Sequence, residues 1–135
     1  MLPGYRMYEH TQITTADRGR LLLLLYEGAI AFLHEAERQM RQGDGIKARL
    51  LQTRAFEIIS ELMNTLNHQA TGEIASYLRR LYAFMLQHLA EGNVRKDPQH
   101  FDDVAHLLTT LHSAFAQAVT LMAQKGNPPD RVGTL

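Results

Sequence analysis

Between Pro3 and Pro98 the chain contains no proline, and through that stretch apolar residues recur at three- and four-residue steps. A backbone without proline can keep every i to i−4 hydrogen bond, and a period of 3.6 lays the apolar side chains along one face. Nowhere do apolar and polar residues alternate as they do in a half-buried strand. The sequence therefore reads as all-α.

Breaks in the period divide it into four segments. The first, 17–42, carries Leu22, Leu25, Ala29, Phe32, Ala36 and Met40 on one stripe and stops at Gly43. Asp44 is an N-cap for the second, whose stripe is Leu51, Ala55, Ile58, Leu62 and Leu66, with 68–70 as connector. The third, 71–91, carries Ile74, Leu78, Leu81, Met85 and Leu89, with Gly92 as the expected left-handed residue past its end and 93–96 turning the chain. Asp97-Pro98 pairs an N-cap with proline at the first helical position, opening a fourth segment with Val104, Leu108, Leu111, Phe115 and Met122 in register.

Connectors this short make consecutive helices antiparallel. The expected architecture is an antiparallel up-down four-helix bundle over 17–125, with an N-terminal arm, 1–16, and a disordered C-terminal tail, 126–135. The tail holds glycine, proline and charge, whereas the arm holds Leu2, Tyr5, Met7, Tyr8 and Ile13, a density of large apolar groups that calls for cover.

Several functions lose their chemical basis. Fourteen basic residues balance fourteen acidic ones, which gives no long-range attraction for phosphate backbones, so no nucleic-acid partner is expected. The longest apolar run, 21–26, has six residues where a membrane span needs about 20, and the N-terminus lacks the layout of a secretory signal. A cytoplasmic protein without cysteine, inserted in no membrane, is the expectation.

Catalytic groupings are missing too. Ser60, Ser76 and Ser113 are the only serines, and none sits in a Gly-x-Ser-x-Gly turn. Gly43-Asp44-Gly45 belongs to no phosphate loop. Among seven histidines, the helical pairing found is His106 with Asp102 and Asp103, and the paired Glu-x-x-His motifs of a di-iron bundle are absent. No catalytic residue, metal site or cofactor is expected; a helical metal-binding enzyme stands only as a distant alternative.

What the pattern does show is apolar width. The run 21–26 wraps the first helix almost completely, and Leu50, Phe56, Ile59, Met63, Tyr77, Tyr82, Phe84, Phe101, Leu107 and Leu121 stand beside the core rows of the other three. Wide stripes suit either a thick core or a groove for an amphipathic helix. Spacing alone does not choose.

The segment 14–29, TTADRGRLLLLLYEGA, resembles the opening signature of the flagellar secretion chaperone family FliS. Ile58-Ile59-Ser60-Glu61-Leu62 resembles that family's second-helix block. Gly72-Glu73-Ile74-Ala75, Leu78, Leu81-Tyr82, Phe84-Met85 and Leu89 resemble its third, and Asn93, Asp97, Val104, Leu107-Leu108 and Leu111 follow in order. Two places depart from the pattern: Asp17-Arg18 where the family usually has Ser-Pro, and His112 and Phe115 where it often has arginine and, later, tryptophan.

The resemblance implies a chaperone that covers the C-terminal segment of flagellin and delivers it to the membrane export gate, without cofactor or nucleotide. On that reading the groove residues are Leu22, Tyr26, Ile59, Met63, Tyr77, Phe84 and Leu107. Tyr5, Tyr8 and Ile13 of the arm are expected to fold over the groove when no client is bound. A homodimerising bundle without a flagellin client is the alternative.

Overall fold

A computed structural model describes residues 15–126, and these form four helices with no strand among them. Helix α1 spans Thr15–Arg41, α2 Gly45–Gln69, α3 Glu73–Arg95 and α4 Pro98–Gly126. Helix α1 packs most extensively against α4 and α2, and α3 closes the ring against α2 and α4, which is the up-down order the short connectors demand. The arm residues Tyr5, Tyr8 and Ile13, and the tail beyond Gly126, lie outside the described residues.

Each connector has a local cause. Gly43 takes φ +93°, its N–H donates to Met40 and that of Asp44 donates to Gln39, the paired bonds that close a helix on a left-handed glycine. The Asp44 carboxylate then accepts from the Lys47 N–H at 3.0 Å, capping α2. Asp97 repeats the device for α4, accepting from the Gln99 N–H at 3.0 Å.

The end of α3 corrects the sequence reading. Gly92 is not the terminating residue; the helix runs to Arg95, and Lys96 takes the left-handed conformation at φ 56°. The glycine serves packing instead. A Cβ on Gly92 would stand 2.5 Å from the Cβ of His100 and 3.3 Å from the Asp97 carbonyl oxygen, so α3 and α4 meet where only hydrogen fits. Gly19 plays a similar part on α1, where a Cβ would fall 2.7 Å from Val119 of α4.

The core is built from Tyr26 and Leu33 of α1, Ile59 and Leu62 of α2, Leu78, Tyr82, Met85 and Leu89 of α3, and Phe101, Val104 and Leu108 of α4. Ala29, Ala36, Ala55 and Ala105 fill the closest helix contacts. Relative to the stripes read from sequence, the inward faces of α1 and α2 are turned by less than one residue's step, since Ala29, Ala36, Ala55 and Leu62 stay in the buried row. Tyr26 and Leu33 point inward where Leu25 and Phe32 were expected, and Ile59 replaces Ile58. Ile74 and Met122, placed in core rows by spacing, are mostly exposed, while Tyr82 and Phe101, read as surplus, are buried. A helix apolar nearly all round has a clear period but no clear phase, and its partners set the phase.

Candidate partner-binding surface

The rotation of α1 and α2 leaves apolar side chains beside the core. Near the start of α1 and the end of α2 a hollow of about 540 Å³ is lined by Leu21, Leu22, Leu25, Leu62, Leu66, Leu78, Tyr82 and Phe115, with Arg18 and Glu61 among its polar groups. Leu25 and Glu61 also border a second hollow, of about 310 Å³, which continues between α1 and α2 past Phe32 and Ile58. Together they make one furrow along these two helices. Its walls are aliphatic and aromatic, and Arg18, Arg54, Glu57 and Glu61 supply charge of both signs.

The inner wall is held rigidly. Tyr82 lines the larger hollow, and its hydroxyl shares a hydrogen bond with that of Tyr26. Burial, then the nearby Tyr82 and the bond itself, push the ionisation of Tyr26 far above the usual phenol range; burial likewise raises Tyr82. Both hydroxyls stay neutral across the physiological range. The ring of Phe115, also in the lining, meets that of Tyr26 edge to face at 5.6 Å. One turn earlier on α4, His112 Nε2 lies 2.8 Å from Glu27 Oε2, tying α4 to α1 at one of the positions that depart from the family pattern.

The seven expected groove residues fall into four groups. Leu22 is half-buried and lines the furrow. Tyr26 and Ile59 have no exposed surface, which corrects their placement beside the core rows: their side chains are the core itself, because the inward phase of α1 and α2 runs through them. Met63 and Leu107 are half-buried and pack against that core. Tyr77 and Phe84 are 54% and 48% exposed and stand on α3, away from the furrow lining. With Ile74, 77% exposed, they follow helical spacing along one side of α3.

Sequence reasoning missed Leu21, Leu25, Ile58 and Leu66 as furrow residues. Leu25, Ile58 and Leu66 fall in the core rows by spacing, where a small error in phase exchanges the wall for the interior. Leu21 gave a usable signal, since a five-leucine run cannot all face inward.

No helix among the described residues is long and apolar enough to cross a membrane. The sequence model of the family described as "Flagellar protein FliS" matches residues 1–122. The flagellar secretion chaperone FliS of Vibrio cholerae is 32% identical over 108 residues, covering 79% of each chain. That of Bacillus subtilis is 28% identical over 115 residues, 85% of each, and that of Salmonella typhimurium 31% over 106, 78% of each.

Proposed function

The chain belongs to the FliS family of flagellar secretion chaperones, and from that premise we propose that it holds the C-terminal helical segment of flagellin in the cytoplasm and hands it to the membrane export gate. The observation that supports this reading is the furrow between α1 and α2, an apolar surface that the four helices leave uncovered.

The physical logic runs from the client. A segment destined to form helices in a filament core presents apolar faces that associate prematurely if left free. An amphipathic helix or extended strip laid into the furrow would bury those faces against Leu21, Leu22, Leu25, Ile58 and Leu66. Ordering the client offsets part of the gain, so affinity comes from a long contact of about 1,000 to 3,000 Å² rather than from one anchor. Such binding is driven by burial and needs no cofactor. Tyr77, Phe84 and Leu107 extend the contact if the client wraps onto α3 and α4.

Tyr5, Tyr8 and Ile13 cover the furrow when it is empty. A segment tethered directly to α1 acts at an effective concentration of about millimolar, enough to shield an apolar surface and weak enough to yield to a client.

The deciding experiment is a calorimetric titration of the full chain with the C-terminal segment of flagellin from the same organism. Saturable one-to-one binding with a negative heat-capacity change is expected. Absence of binding, together with a stable dimer of the chain alone, would replace this reading with that of a homodimerising bundle.

A further inference from the structure

Where α3 meets α4, His88, Glu91 and His100 each bring one possible ligand atom to within 4.8 Å of the others. His88 and Glu91 stand three apart on α3, a spacing that points both side chains the same way. His100 comes from the first turn of α4, brought close by the missing side chain of Gly92.

The two imidazoles stack with centroids 4.1 Å apart, and their side chains are only 17% and 15% exposed. Three carboxylates converge on them. Asp103 Oδ2 lies 2.9 Å from His88 Nε2, Asp97 Oδ2 lies 3.2 Å from His100 Nδ1, and Glu91 Oε1 lies 4.0 Å from His100 Nε2. The contact with Asp97 makes no hydrogen bond, so His100 Nδ1 is buried and unsatisfied. A ring rotation would complete it.

These contacts sort the nitrogens. Asp103 and Asp97 each face one nitrogen of an imidazole, leaving His88 Nδ1 and His100 Nε2 available. A carboxylate behind an imidazole fixes its orientation and raises the basicity of the opposite nitrogen, as in histidine ligands of metal sites. Two such imidazoles and a carboxylate form an open set of three donors.

We propose that His88, Glu91 and His100 bind a divalent transition metal, with zinc as the best match, clamping α3 to α4. Tetrahedral ligands about 2.0 to 2.2 Å from zinc lie about 3.4 Å from one another, so the 4.0 Å between His100 Nε2 and Glu91 Oε1 has to shorten and the stacked rings have to turn before both imidazoles reach one ion. A metal sits in the plane of an imidazole, so binding exchanges the ring stack for in-plane coordination and turns His100 toward Asp97.

The test uses untagged full-length protein stripped with a chelator. Calorimetry with zinc chloride is expected to give one equivalent per chain and a raised melting temperature. Cobalt(II) is expected to give the visible absorption of a tetrahedral site. Glu91→Gln, at an exposed position, should weaken zinc by about tenfold or more, and the double variant H88Q/H100Q should abolish the site. His34→Ala, at the second grouping of His34, Glu37 and Asp102, whose histidine is exposed, should leave binding unchanged. No saturable binding by the wild-type chain, or binding that survives Glu91→Gln undiminished, would overturn the proposal, and because Glu91 is exposed and the change is isosteric the second result stands even if the double variant fails to fold.

Discussion

Tyr26 on α1 and Tyr82 on α3 join their hydroxyls in a hydrogen bond inside the bundle, the one buried side-chain to side-chain bond that crosses between helices among the described residues. Each hydroxyl is the other's hydrogen-bond partner, so removing one strands the other. Tyr26→Phe and Tyr82→Phe should each cost about 1 to 2 kcal/mol, and the double variant clearly less than their sum, because replacing both removes the unpaired group. Urea denaturation of the four proteins measures the coupling.

The same pair sets an alkaline limb. Both folded-state ionisations are raised, by burial first, so the folded protein holds these protons where the unfolded chain has released them. The associated stability is complete below the unfolded phenol value of about 10 and declines as pH rises above it. Urea midpoints measured from neutral pH to above 10 should fall for the wild-type chain, and the decline should be shallower in Y26F/Y82F.

Asp103 sets part of an acid limb. Its carboxylate accepts from the Gln99 amide and contacts His88, and these bonds, Gln99 first, hold it below the ordinary carboxylate range. A lowered folded value gives stability present above the unfolded value of about 4 and lost as pH falls through the folded one. Asp103→Asn should lower the melting temperature at neutral pH, and the gap from wild type should close on acidification. A gap constant with pH would show that the carboxylate charge contributes nothing.

Gly92 and Lys96 invert their expected roles. Gly92→Ala gains up to about 1 kcal/mol of helix propensity but drives a methyl to within 2.5 Å of the His100 Cβ, so a net loss of about 1 to 3 kcal/mol is expected. Lys96→Gly relieves a side chain held at φ 56° and should stabilise by up to about 1 kcal/mol. Thermal melts of the two variants should therefore move in opposite directions.

Fold class and the residues that end or open α1, α2 and α4 were legible because they rest on local chemistry: Gly43, Asp44 and Asp97-Pro98 each perform in the structure the terminal role their residue type dictates, whereas the connector expected at 68–70 falls at 70–72, α2 running on to Gln69. The end of α3 was not, since Gly92 is required by a neighbour on another helix. The furrow was legible as an excess of apolar residues and illegible in detail. One residue's step around a helix is about 100°, and a turn of well under that exchanges Leu25 with Tyr26 and Ile58 with Ile59 while Ala29, Ala36, Ala55 and Leu62 stay inside; sequence spacing fixes that angle poorly where every position is apolar. The His88, Glu91 and His100 grouping needed the α3–α4 crossing, which no single-helix spacing contains.

That exchange makes the assignment of Leu22 and Ile59 separable by experiment. Leu22 lines the furrow and is half-buried, so Leu22→Glu leaves the interior intact while placing a charge where the client's apolar face would lie. Helicity and melting temperature should stay close to wild type while affinity for the flagellin segment falls by about thirtyfold or more, the effect of an interface anchor. Ile59 has no exposed surface, so Ile59→Asp buries an unpaired charge at a cost above about 4 kcal/mol and should unfold the bundle. Circular dichroism and calorimetry on the two variants check both. An Ile59→Asp protein that stays folded yet no longer binds would return Ile59 to the partner surface, and a Leu22→Glu protein that binds normally would move the client off the furrow.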